Sequence, residues 1–217
     1  MEYKKYLIAV PCLDMVHTGF MASLVAMQRV GACKHSFLAN SLVYDARNML
    51  AAEAIDTGAD RILFLDSDMG FDVDLMQRFA DDMDEGRDYV SGIFFKRMFP
   101  LKPCIYKTVD IIEGNNGMIG KTELYLDYPK DTLFPIAGSG FGAVMLSTKM
   151  VKDVYDTFGF PFAPMPGILG EDLVFCYRAK QLGYELWCDS RIKLKHIGHF
   201  AYGEEHYIRQ VSDTNAS

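Results

Sequence analysis

Asp66 and Asp68 stand one residue apart, directly after Ile62, Leu63, Phe64 and Leu65, in the stretch RILFLDSDMGFD. The apolar run reads as a strand buried on both faces, so the two carboxylates emerge where a core strand ends. Oxygens at that spacing are poor packing material and good ligands for a hard divalent cation, which in turn can hold a diphosphate. The competing reading makes Asp66 and Asp68 caps for a helix starting near Asp72. A calcium loop is set aside, because it needs an oxygen ligand where Gly70 stands, glycine where Phe71 stands and a glutamate further on.

Other chemistry-bearing residues lie far away in sequence. Glu171 and Asp172 follow the loop FGFPFAPMPGILG, a candidate mobile lid, and open a helix carrying Phe175, Ala179 and Leu182. Acidic residues in a first turn suit the helix dipole without any function. His196 and His199 share the short segment KLKHIGHF. Lys96 and Arg97, in FFKRMFP, face either solvent or an anionic ligand.

The elements that must position these groups alternate between strand and helix. Tyr6 to Val10 forms a first core strand, ended by Pro11, which has no N–H to give. The loop from Pro11 to Asp14 then lies beside the end of the Asp66 strand and lines a nucleoside pocket, with a loop or capping role as the alternative for Asp14. A helix over Gly19 to Arg29 and a second strand over Phe37 to Val43 follow. A helix over Asp45 to Thr57 is stopped by Gly58. Arg47 and Asn48, in its first turn, sit next to the strand ends and suit phosphate or base contact; an exposed surface arginine is the alternative.

After the central strand, Gly70 lets the chain turn away, a helix spans Asp72 to Met83, and Tyr89 to Phe95 is a strand. Antiparallel strands over residues 102 to 125, turning at EGNNG, break the rhythm and read as an insertion that walls the acceptor side. In PIAGSGFGAVMLS the glycines Gly138, Gly140 and Gly142 precede a strand, not a helix, so a dinucleotide fingerprint fails. Glycines so placed admit a ligand close to the backbone, or a bulge. A helix from Thr148 to about Phe158, the Glu171 helix ended by Gly183, a last short strand at Glu185 to Cys188 and a loose polar tail over 211–217 complete the chain.

Half of the 217 residues are hydrophobic, enough to bury one large α/β domain over residues 1–210. The formal charge of −7 argues against a nucleic-acid binder, which rests on phosphate neutralisation by a basic face. Five cysteines without paired spacing fit neither a disulfide framework nor a zinc site. No apolar stretch approaches the roughly 20 residues of a membrane span, and no signal segment opens the chain, so the expectation is a cytoplasmic protein.

The ordered set YLIAVP, DARN, FLDSDMGFD, GSGFGAVMLS, GED and HIGH resembles the GT-A glycosyltransferases, especially family 2-like enzymes, over most of the chain. The resemblance implies a Rossmann-like α/β fold with a mixed, mainly parallel central sheet flanked by helices and a small antiparallel insertion. It implies transfer of a sugar from a UDP- or GDP-type nucleoside-diphosphate sugar to an acceptor hydroxyl, with Mn²⁺ or Mg²⁺. Asp66 and Asp68 match the DXD element, and Ser67 lies between them at the nucleotide sugar. His196 looks like the histidine completing the metal site, with His199 as rival. Glu171 and Asp172 match the acidic pair at the acceptor side, where an inverting enzyme keeps its base. Pro11, Asp14, Arg47 and Asn48 fall near the nucleotide, and Gly138 and Gly140 under the donor sugar. Two other readings stay open: a sugar nucleotidyltransferase, which normally has a glycine-rich basic loop where PCLDMVHTG stands, and a catalytically silent nucleotide- or sugar-binding module.

Overall fold

The computed structural model describes residues 4–115, 117–198 and 201–215. Its centre is β3 (Arg61–Leu65), buried along its whole length, as the apolar run from Ile62 to Leu65 requires. A seven-stranded sheet runs in the order β2 (Ala32–Leu38), β1 (Lys5–Pro11), β3, β10 (Ala143–Ser147), β5 (Tyr89–Ile93), β11 (Leu186–Lys193), β8 (Leu133–Ile136). β1 pairs in parallel with β2 and β3, and β5 with β11, whereas β10 and β8 run antiparallel to their neighbours.

The period of two in a strand sends neighbouring side chains into two separate cores. Ile62 and Phe64 pack with Leu50 of α2 (Val43–Asp56), Val151 of α4 (Thr148–Phe158) and Phe175 of α5 (Glu171–Gln181). Leu63 and Leu65 pack on the other face with Phe20 of α1 (Thr18–Ala26) and Phe79 of α3 (Leu75–Asp84). The sheet is thus a layer between helices, with the carboxyl ends of β1, β3 and β5 left open to a crevice, where ligands of such sheets bind.

Two small antiparallel sheets complete the fold. β6 (Ile105–Gly114), β7 (Gly117–Leu124) and β9 (Gly138–Ser139) form the expected insertion, with its hairpin turn at Gly114–Gly117. β4 (Met69–Gly70), β12 (Lys195–Ile197) and β13 (Ala201–Tyr202) form the other. Gly70 therefore does not simply release the chain; it is half of a two-residue strand.

Several boundaries differ from the sequence reading. β2 begins at Ala32 and ends at Leu38, because Asn40 takes a left-handed φ of 59° that no strand continues through. The last core strand extends from Leu186 to Lys193, well past Cys188. Residues 211–215 are not a loose tail but the end of α6 (Glu204–Asn215), anchored by buried Tyr207, whose hydroxyl donates to the Leu126 carbonyl at 2.8 Å. Nor is the 158–170 segment free along its length: Phe162 is fully buried, stacks on Phe175 at 4.7 Å, and donates its N–H to Asn48 Oδ1. Among the described residues no helix is long and apolar enough to cross a membrane.

α3 is tied to β11 by two buried carboxyls, Asp82 and Asp189. Arg191 reaches Asp82 Oδ1 at 2.9 Å and Asp189 Oδ1 at 2.8 Å, which leaves both Oδ2 atoms buried without a donor. Burial first, then the neighbouring Asp189, pushes the Asp82 carboxyl from 3.8 to about 7. A proton on Asp82 Oδ2 would give that oxygen a donor to offer its unpartnered neighbour. Because the folded pKa lies above the unfolded one, stability falls as pH rises from about 4 through about 7, with a limiting slope of about 1.4 kcal/mol per pH unit. Asp82→Asn supplies a permanent N–H and should flatten that slope in urea unfolding followed from pH 5 to pH 8. An unchanged slope would show that the pair holds no proton.

Candidate functional site

The turn after β3 is tight: the Asp66 N–H donates to the Gly142 carbonyl at 3.0 Å and the Met69 N–H returns to the Asp66 carbonyl at 3.1 Å. β4 then pairs with β12, setting His196 opposite Met69, and the Ile197 N–H donates to the Asp68 carbonyl at 2.8 Å. This pairing carries His196 to Asp68, with Nε2 at 3.4 Å from Asp68 Oδ2. His196 Nδ1 lies 2.9 Å from the Phe95 carbonyl. A carbonyl only accepts, so Nδ1 carries a proton there and Nε2 is the nitrogen turned toward Asp68. Arg97 Nη1 also lies on Asp68 Oδ2, at 3.0 Å. Burial raises the Asp68 carboxyl, but the hydrogen bond and charge of His196 and the charge of Arg97 outweigh it and leave Asp68 below its ordinary range.

Arg47 occupies the floor. It is 2% exposed and packs over the rings of Phe141 and Phe64, while Nη1 and Nη2 both donate to Asp66 Oδ1, at 3.1 and 3.0 Å. Its Nε lacks a hydrogen-bond partner and lies 3.9 Å from Glu171 Oε1. This is not the exposed arginine offered as an alternative by the sequence; the guanidinium joins the Asp66 turn to the start of α5. Burial still holds Asp66 above its ordinary range, with Arg47 opposing. Arg47→Met leaves Asp66 without its cation. The expected loss in urea unfolding stays below the roughly 3–5 kcal/mol of a fully buried broken pair, because Asp66 opens on the cleft and can hydrate or protonate. Adding Asp66→Asn should recover part of it, and additivity of the two changes would contradict the coupling.

Asp172 is half-buried at the amino-terminal end of α5, where its Oδ1 accepts the Leu173 N–H at 2.7 Å. Its carboxyl is pushed up to about 6, by burial first and by the charge of Glu171 second. Gly140 admits it: a Cβ there would stand 3.6 Å from Asp172 Oδ2 and 2.8 Å from Phe94 Cζ, and the Phe94 ring in turn lies edge-on to His196 at 5.7 Å.

A cleft of about 310 Å³ opens above these groups. Pro11, Leu13, Val43 and Ala46 line an apolar half, and Asp66, Ser67, Asp68, Arg97 and His196 a polar one. Asp14 is exposed and outside the lining, and Asn48 is engaged by the Phe162 N–H. Gly138 is packed from within, since a Cβ there would meet Val109 at 2.9 Å and Cys176 at 3.1 Å. His199 lies outside the described residues. The lining residues Ser41 and Val43 carried no sequence signal. Arg97 was visible only as half of a basic pair. A larger groove of about 740 Å³ lies at the amino-terminal ends of β5 and β11, where Lys149, Asp153 and Tyr184 satisfy one another; none of the predicted site residues lines it.

Among the described residues no three His, Cys, Asp or Glu side chains converge as a metal cage. What does converge is one carboxylate oxygen and one imidazole nitrogen whose far nitrogen is fixed, donor types that Mn²⁺ or Mg²⁺ would accept.

The fold is of the GT-A, glycosyltransferase type. No family model and no curated protein matches the sequence. Among solved structures, A197 from STIV superposes with a TM-score of 0.60 at 15% identity, over 90% of this chain and 86% of its own. GalNAc-T7 with UDP, GalNAc and Mn²⁺ superposes with a TM-score of 0.58 at 11% identity, over 97% of this chain and 48% of its own. The chain thus spans about half the length of the GalNAc-T7 chain.

Proposed function

We propose that this protein is a metal-dependent glycosyltransferase that moves a sugar from a nucleoside-diphosphate sugar to an acceptor hydroxyl. The observation that carries the reading is the meeting of Asp68 Oδ2 and His196 Nε2 beyond the carboxyl end of β3, from segments far apart in sequence. The likeness to a structure holding UDP, GalNAc and Mn²⁺ supports it. Asp68 and His196 would hold Mn²⁺ or Mg²⁺, which as a Lewis acid stabilises charge on a departing diphosphate.

The chain's own residues do the rest. Pro11, Leu13, Val43 and Ala46 receive the nucleoside in the apolar half of the cleft. Arg47 holds Asp66 and the turn in place from below. Asp172 faces Gly140, whose missing side chain leaves space for its carboxyl beside the Phe94 ring, and takes the proton of the acceptor hydroxyl as the hydroxyl oxygen bonds to the anomeric carbon. The bond from that carbon to the diphosphate breaks, and its electron pair leaves with the nucleoside diphosphate. In this reading the transfer inverts configuration. Metal-dependent hydrolysis of one member of a nucleotide-sugar panel tests the assignment, whereas a binding module turns over none.

A further inference from the structure

We propose that Arg97 is a built-in competitor of the metal, sitting on Asp68 Oδ2 until a diphosphate draws it away. The inference rests on the metal reading above and adds a residue to it. Arg97 Nη1 and His196 Nε2 approach the same oxygen, at 3.0 and 3.4 Å, so that oxygen already carries a cation where a metal would coordinate. Two cations do not share one carboxylate oxygen without repulsion.

Arg97 is also placed to leave. Its side chain is 46% exposed, and its second anchor is a backbone carbonyl, Ile197 O at 3.1 Å. Buried Arg47, by contrast, is fixed under Asp66. Charge decides the direction of movement. With Asp66 paired to Arg47 and Asp68 to Arg97, the polar half of the cleft is balanced, and a divalent ion alone adds unopposed positive charge. A metal–diphosphate pair brings its own anion, to which a planar guanidinium can turn with two donors. The metal alone is therefore held weakly, and the guanidinium released from Asp68 becomes a phosphate ligand.

The test is Mn²⁺ binding to the intact protein without nucleotide, read by the electron paramagnetic resonance signal of free Mn²⁺. Arg97→Met should bind Mn²⁺ more tightly than wild type, by roughly two- to fivefold, the factor expected when a half-exposed ion pair no longer competes. Arg97→Lys keeps the charge and should stay close to wild type. Adding Asp68→Asn to Arg97→Met should abolish the gain. Equal affinity in wild type and Arg97→Met, with binding still lost in Asp68→Asn, overturns the competition while leaving the metal site standing. Mn²⁺ binding that ignores Asp68 in every background overturns both.

Discussion

Asp68→Ala should lower Mn²⁺-dependent turnover of the nucleotide sugar by roughly 10²- to 10³-fold, the range lost when one preorganised group facing transition-state charge is removed. The size follows from how much converges on this one carboxylate. Its Oδ2 meets His196 Nε2 and Arg97 Nη1, and Asp66, the acidic neighbour in the same cleft, is already held by Arg47. Stability should change little, since Asp68 faces the cleft and its backbone contact to Ile197 does not need the side chain. Adding Mn²⁺ should accelerate the wild type and leave the variant unaffected. A variant that keeps the wild-type response to Mn²⁺ would remove Asp68 from the metal site.

Asp172→Asn should reduce transfer to the acceptor by roughly 10²- to 10⁴-fold while leaving nucleotide binding nearly intact, because an amide cannot take the hydroxyl proton. The wild-type rate should fall as pH drops below about 6, where the carboxyl gains its proton. Stability should move the other way. The folded carboxyl titrates at about 6 and the unfolded one near 3.8, so the folded state loses stability as pH rises through that window, up to about 3 kcal/mol by neutral pH. Asparagine removes the buried charge and its oxygen can still accept the Leu173 N–H, so the variant should be more stable than wild type at pH 8 and equal to it near pH 4. A dead but more stabile protein is the signature of a residue kept for chemistry against the interest of the fold. Equal loss of activity and stability would instead make Asp172 a structural cap.

Much of this site was legible in the chain because local pattern determined it. The run Ile62 to Leu65 can only be a strand buried on both faces, and the carboxylates after it can only emerge at its end. Gly58 and Gly183 end their helices with φ of 64° and 84°, as glycine at those places implies. The three-glycine segment leads into β10, not a helix, as its apolar continuation indicated. What was not legible depends on contacts between distant segments. A two-residue strand such as β4 has no periodicity of its own, and only its pairing with β12 explains how His196 reaches Asp68. Arg47 sits in an ordinary first turn, and its burial follows from the rings of Phe64 and Phe141, which lie 17 and 94 residues further along the chain. The end of α6 looked like a polar tail because the groups that anchor the helix, Glu204, Tyr207 and Gln210, all precede residue 211.

Calorimetric titration of UDP and GDP into the wild-type protein, with and without Mn²⁺, and into Asp68→Ala tests the central claim most directly. The account predicts that one of the two nucleotides binds, that it needs Mn²⁺, and that Asp68→Ala removes the Mn²⁺ dependence together with the binding. Binding that is indifferent to both Mn²⁺ and Asp68 would contradict it, and would return Asp66 and Asp68 to the role of residues that only shape the turn after β3.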